Sequence, residues 1–263
     1  MRQNPFYKVK VLVTALYLLG FLATSLPVNA QAPDSSEKYQ LFIEPYLMLP
    51  SLSGTTGIGN LPNTFICVPA SDLLSHLKIG GMLNAEVHNN RFAFISDFFY
   101  ASLEQDASGK NGILNGKATL KQLLWELEAL YKLNPWLELG IGARTNSIEV
   151  GLNVNVSDPA GNSVNRAGSK TNTWVDPIIV TRLRKWIDNK WLLQVKADIG
   201  GFGAGSKFAW QLQPDIAFRA SKLLQLGLGY RYIYMDYDHG TGSDRFYYNM
   251  DEYGPEIRIG FNF

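Results

Sequence analysis

Apolar and polar residues alternate with period two along most of the chain from residue 38 onward, the signature of strands with one face on each side of a sheet. The alternation predicts ten strands, at about 38–49, 76–88, 91–104, 114–133, 136–154, 171–186, 191–200, 207–219, 223–237 and 246–263. In the seventh, Trp191, Leu193, Val195, Ala197 and Ile199 oppose Gln194, Lys196 and Asp198. The eighth sets Phe208, Trp210, Leu212, Ile216 and Phe218 against Gln211, Gln213 and Asp215. In the ninth, Leu224, Leu226, Leu228, Tyr230, Tyr232 and Tyr234 oppose Gln225, Gly227, Gly229 and Arg231.

The connections come in two lengths, and they alternate. Tight turns fall at His88-Asn89-Asn90, Asn134-Pro135, Asp188-Asn189-Lys190 and Ala220-Ser221-Lys222, all of turn-forming composition. Longer segments lie between them at 50–75, 105–113, 155–170, 201–206 and 238–245. An even strand count with alternating short and long links describes an antiparallel up-and-down barrel whose termini share one end. A soluble barrel or sandwich would also alternate, with its apolar face inside. The membrane version is favoured by aromatic residues near strand ends: Phe92, Tyr100, Trp125, Tyr131, Trp136, Trp174, Trp186, Trp191, Tyr230, Tyr232 and Tyr234. No segment after the first 30 residues approaches the length of an apolar transmembrane helix, so a membrane span here requires a closed barrel.

The start of the chain reads as a secretory signal. Arg2, Lys8 and Lys10 precede the apolar run Val11 to Leu26, and Val28 and Ala30 precede a cleavage point before Gln31. A cysteine is lacking just after that point, which argues against a lipoprotein anchor. Residues 31–37 read as a polar periplasmic lead-in, and 38–263 as one barrel domain. Removal of residues 1–30 takes away three bases and no acid, and shifts the formal net charge from +1 to −2. Nucleic acid is therefore not an expected partner. Cys67 is the sole cysteine and can form no internal disulfide.

The last residues, Ile257-Arg258-Ile259-Gly260-Phe261-Asn262-Phe263, carry apolar side chains at every odd position and end on an aromatic ring. Such a terminal strand resembles the insertion signal of Gram-negative outer-membrane β-barrels, carried here by Ile257, Ile259, Phe261 and Phe263. Trp174-Val175-Asp176-Pro177, Asp198-Ile199-Gly200-Gly201-Phe202-Gly203 and Gly227-Leu228-Gly229-Tyr230-Arg231-Tyr232 resemble stretches of small barrels of this group. The resemblance implies the outer membrane, periplasmic termini, and contact with outer-membrane lipid, periplasmic chaperones and the barrel-insertion machinery. It implies no catalytic residue and no cofactor.

Charged residues on the inward face fall at similar heights. Glu44, Asp97, Glu126, Glu128, Arg144, Asp176, Lys196, Asp198, Asp215, Arg231, Glu256 and Arg258 all lie about six to ten residues from a periplasmic strand end, at roughly 3.3 Å per residue. They are expected to form a lumen belt of mixed sign, either a salt-bridged plug or a narrow, mildly cation-favouring water path. Four in-strand prolines neighbour acids, in Glu44-Pro45, Asp176-Pro177, Pro214-Asp215 and Pro255-Glu256. Each is expected to mark a bulge or local bend that aims its carboxylate inward.

Candidate chemistry is sparse. Asp236, Asp238, His239, Asp244 and Asp251 resemble the acid and histidine residues at the rim of omptin-like proteases, and equally suit a solvated loop. His76 and His88 sit apart, and three histidines with one cysteine offer no metal spacing. Gly200 to Gly205 lack the lysine and helix of a phosphate loop. The 50–75 segment carries Ile58, Leu61, Phe65, Ile66, Val68 and Leu73, and is expected to be a loop that either constricts the barrel or binds an external ligand. The reading is a non-enzymatic barrel, structural or a narrow small-solute or ion pathway, with surface binding or adhesion through the loops as its alternative.

Overall fold

A computed structural model describes residues 39–108, 114–157 and 163–263. The segments expected at 1–30 and 31–37 lie outside the described residues. Twelve strands form one antiparallel sheet: β1 (Gln40–Met48), β2 (Ser51–Ile58), β3 (Thr64–Val68), β4 (Leu77–His88), β5 (Phe92–Ser108), β6 (Leu114–Asn134), β7 (Leu137–Ser157), β8 (Ser163–Ile187), β9 (Trp191–Gly200), β10 (Phe208–Arg219), β11 (Leu224–His239) and β12 (Phe246–Asn262). One helix, α1 (Ala70–His76), links β3 to β4. Ten strands close into a barrel, β1 pairing with both β4 and β12, while β2 and β3 lie outside the ring. Among the described residues no helix is long and apolar enough to cross a membrane.

Each short turn at the end shared by the termini is set by a local device. The Asn89 side-chain oxygen accepts from the backbone N–H groups of Arg91 and Phe92, both at 2.8 Å. Asn134 does the same for Trp136 and Leu137, at 3.0 and 2.9 Å. The Ser221 hydroxyl accepts from Leu223 and Leu224, and Asp188 and Asn189 both adopt positive φ, as a tight hairpin requires. These residues close their turns without help from the rest of the fold, which is why the turns are legible in sequence.

The segment from 50 to 75 is not a loop. β1 and β2 both pair with β12 in a single register, Met48 opposite Glu256 and Ser51 opposite Tyr253, interrupted only at Leu49-Pro50. Pro50 has no N–H to donate, and the chain leaves the ring here. Gly254 faces this break, and a Cβ there would lie 2.0 Å from the Leu49 carbonyl oxygen, so only glycine permits the approach. β2 and β3 then form a hairpin on the outer half of β12, and α1 turns the chain inward with Leu73 buried. The expected 155–170 loop is likewise mostly strand, because β8 begins at Ser163.

Register continues unshifted through all four prolines, so the expected bulges are absent. Shifts occur only at Leu77/Ile79 and Lys132/Asn134. Beside Pro45 and Pro214 one ladder lapses at 44–45 and at 213–214 and resumes in the same register. A missing N–H costs a rung without requiring an extra residue.

The two faces change character partway up the barrel. In the terminal half the outer wall is apolar and exposed, with Leu228 at 61% and Ile141 at 69%, while the inner wall is polar and buried. On β11 the inner positions pass from Gln225 and Arg231 to Ile233, Met235 and Tyr237. The outer positions pass from Leu226 and Leu228 to Asp236 and Asp238. A conventional apolar core therefore caps a polar one.

Candidate functional site

Among the described residues, chemistry-bearing side chains converge in the interior of the barrel, and they do so in layers. Nearest the termini, Arg182 of β8 donates to Glu138 of β7 at 2.6 Å and to both oxygens of Glu86 of β4 at 2.6 and 3.1 Å. Arg184 adds a bond to Glu86 at 3.3 Å. One turn of side chains further in, Arg258 donates to Glu44 at 2.8 Å and to Glu256 at 2.6 Å, with its guanidinium 4.7 Å from the Tyr46 ring centre. Asp215 lies 4.0 Å from Arg258, and Gln213 donates to Glu256 at 2.8 Å.

The central layer is fully enclosed, and Glu126 is its hub. It accepts from Arg144 Nε at 2.8 Å, Lys196 Nζ at 3.0 Å and Arg231 Nη2 at 3.1 Å. Arg144 also holds both oxygens of Asp198 through Nη2, each at 2.8 Å, and Lys196 reaches Glu128 at 2.8 Å. Arg231 bonds Gln211 and the Tyr46 hydroxyl, and that hydroxyl donates to Asp97 at 2.6 Å. Side chains from seven strands, charged on five of them, thus meet across the lumen, Arg144 and Glu126 with no exposed surface at all.

Asp176 stands apart from the cations. Its carboxylate accepts from the Ser206 backbone N–H and hydroxyl at 2.5 and 2.9 Å, from Asn146 at 3.1 Å and from the Trp174 indole at 3.2 Å. Neutral donors alone satisfy it, and they tie the Gly201–Gly205 turn to β8. Glu252 is held in the same manner by Gln122 and Tyr248, both at 2.6 Å. Carboxylates outnumber cations among the buried residues, and such neutral donors supply part of the difference, while Glu128 Oε2, Asp215 Oδ1 and Glu256 Oε1 are buried without a hydrogen bond.

Above these layers the lumen is apolar. Trp174 reaches inward and stacks on Tyr237 with ring centres 4.1 Å apart, so it belongs to the core and not to the expected outer aromatic band. Phe246, Tyr248, Met235, Met250, Ile148 and Leu124 fill the same level, and Leu73 of α1 closes it. A cavity of about 40 Å³ lies in the terminal half, lined in part by Glu44, Arg184, Asp215 and Arg258.

The structure brings eleven of the twelve belt residues into this connected interior, Asp176 being held separately. Sequence reasoning missed Glu86, Glu138, Arg182 and Glu252, although each lies on the same parity as its inward neighbours. It also missed Tyr46 and Gln211, neutral bridges whose role depends on a partner across the lumen. Ile257 and Phe263 project outward and exposed, Ile259 and Phe261 outward and half-buried, while Glu256 and Arg258 turn inward. The rim candidates do not converge. Asp236 and Asp238 are on the outer parity of β11 and His239 on the inner, where it stacks on Tyr237. Asp238 is engaged by Lys207 and Arg245, and Asp251 accepts from Tyr232 on the outer face. Among the described residues no cluster of His, Cys, Asp or Glu could hold a metal ion.

No protein-family model and no curated protein matches the chain. Among solved structures, the outer-membrane protease OmpT of Escherichia coli is similar over 87% of this chain and 97% of its own, with a TM-score of 0.50 and 7% identity. At that identity the likeness is one of fold. The toluene transporter TodX of Pseudomonas putida matches at a TM-score of 0.38 with 8% identity, over 86% of this chain and 90% of its own. The attachment invasion locus protein Ail of Yersinia pestis matches at 0.35 with 10% identity, over 86% and 99%.

Proposed function

We propose that this chain is a non-enzymatic Gram-negative outer-membrane β-barrel whose lumen is sealed by its own side chains. It serves as a rigid membrane-embedded support for the surface at its loop end. In this reading residues 1–30 direct export, the termini and short turns face the periplasm, and Ile257, Ile259, Phe261 and Phe263 are the strand that the insertion machinery engages.

The observation that carries the reading is the continuous filling of the interior, from the Arg182 layer through Glu126 and Arg144 to Trp174, Tyr237 and Leu73. A water molecule occupies about 30 Å³ in the liquid, so the cavity of about 40 Å³ beside Arg258 holds little more than one. The outer wall supports the membrane setting. From Phe218 to Trp210 β10 runs about 26 Å along the strand, or roughly 20 Å along the barrel axis at a tilt of about 40°, and the exposed apolar band between them spans most of a hydrocarbon layer about 25 Å tall.

Purified protein in a planar lipid bilayer is expected to give no steady conductance above the bare membrane. A stable unitary current would overturn the sealed lumen in favour of a narrow ion pathway. A second reading, binding of an external ligand, is favoured by the β2–β3 hairpin, which leaves Leu61 and Phe65 about two-thirds exposed near its tip.

A further inference from the structure

Among the described side chains, the cations outside the lumen fall into two sets. At the loop end Lys78, Lys117, Lys121, Lys170, Lys207 and Arg245 each have a carboxylate oxygen within 3.9 Å. At the terminal end Arg91, Lys185, Lys190 and Lys222 are exposed and Arg219 is half-buried. Among the described residues none of these five has an ion-pair partner, and Asp188 is the only acidic side chain in the four short turns. One rim is neutralised from within, and the other carries uncompensated positive charge.

The unpaired cations also sit beside aromatic rings. Arg91 precedes Phe92, Lys185 precedes Trp186, Lys190 precedes Trp191, and Arg219 follows Phe218. On the outer face Phe92 meets Tyr131 edge-on at 5.4 Å and Trp191 meets Phe218 at 4.9 Å, while Trp186, on the inner parity of β8, takes the Arg219 guanidinium 3.9 Å from its ring centre at the same end of the barrel. Aromatic side chains of this kind lie at the boundary between hydrocarbon and headgroups. Arg91, Lys190 and Arg219 lie one residue beyond their rings toward water, at the level of lipid phosphates, and Lys185, one residue before Trp186 on β8, reaches that level by extending its long side chain.

We propose that this rim is a binding surface for anionic phospholipid headgroups of the leaflet on the side of the short turns. The proposal rests on the reading of the chain as a membrane barrel. Charge complementarity and continuity with the aromatic band identify the occupant, and the neutralised loop end has no equivalent preference. Each unpaired cation near an anionic surface contributes roughly a five-fold preference for it at physiological salt.

The test uses the tryptophans at the same rim, Trp136, Trp186 and Trp191, as reporters. The full-length mature protein is reconstituted in vesicles mixing phosphatidylcholine and phosphatidylglycerol, with bromine on the acyl chains of one or the other. Brominated phosphatidylglycerol is expected to quench tryptophan emission more strongly than brominated phosphatidylcholine at equal fraction. The combined variant Arg91→Gln, Lys185→Gln, Lys190→Gln, Lys222→Gln should lose most of that preference, with Arg219 kept because it packs on Trp186. A variant that keeps the full preference overturns the proposal. If the variant does not fold, salt decides: the wild-type preference should collapse near 1 M, where the screening length is about 3 Å, and a preference indifferent to salt overturns it. Absence of quenching by either lipid would instead mean that the membrane reading has failed.

Discussion

At the scale of single residues, the interior is governed by what an unpaired charge would cost. Glu126 is shared by Arg144, Lys196 and Arg231 and keeps two cations when one is lost, but each of the three also serves a second buried carboxylate, Asp198, Glu128 and Asp97 respectively. Arg144→Ala frees Asp198, and is expected to lower stability by about 3–5 kcal/mol, read from urea titration of the protein folded in vesicles. Adding Glu126→Ala should recover part of that loss, because the two side chains share one network. Exposed charges behave differently. Glu104, on β5 beyond the aromatic band, is held down to about 2 by hydrogen bonds from Lys117 and then Lys78. Its folded value lies below that of the free chain, so the tie contributes above the ordinary carboxylate range and is lost as pH falls toward 2. A carboxyl NMR titration of Glu104 should show that low midpoint, and Lys78→Gln with Lys117→Gln should return it to the ordinary range.

At the scale of elements, the ring and the hairpin are separable. The lower half of β12 closes the barrel against β1, and its upper half carries β2. Leu52 and Val68 face each other across the β2–β3 hairpin, so excision of Leu52–Val68 leaves ends that can be joined. The shortened chain is expected to keep the folded, fast-migrating band on an unheated SDS gel, with a lower heat-conversion temperature because Leu52 leaves the core. Only the unfolded band would mean that the hairpin is needed for closure. β6, β7 and β8, with 21, 21 and 25 residues, exceed the roughly 9–11 residues that a membrane strand needs, and their surplus projects from the loop end.

At the scale of the whole molecule, the phase of the alternation follows the surroundings. Where the outer wall is apolar, burying further apolar surface inside has no competing advantage, and the interior is filled with charges that satisfy one another. Where Asp236, Asp238, Glu104 and Lys117 make the outer wall polar, the interior reverts to an aromatic and aliphatic core. The switch on β11, between Arg231 and Ile233, lies level with outward Tyr232. That inversion is written in the sequence, but three tyrosines in succession on the outer face extend the apparent apolar stripe and hide it.

The sequence by itself determined what is local. Strand periodicity fixes which side chains share a face, and Asn89, Asn134, Asp188 and Ser221 close their turns with their own neighbours. Tertiary structure alone decided what is distant: Arg258 meets Glu44 across 214 positions of chain and Arg231 meets Tyr46 across 185. Those partners depend on how far each strand slides past the next when the sheet closes, a sum over the whole ring that no single segment encodes. The same holds for Leu49-Pro50, read as the start of a loop when Gly254 on a far strand lets the chain continue as β2. Trp174 lies inward by the parity it shares with Asp176, and closure supplies its partner by bringing the Tyr237 ring within 4.1 Å.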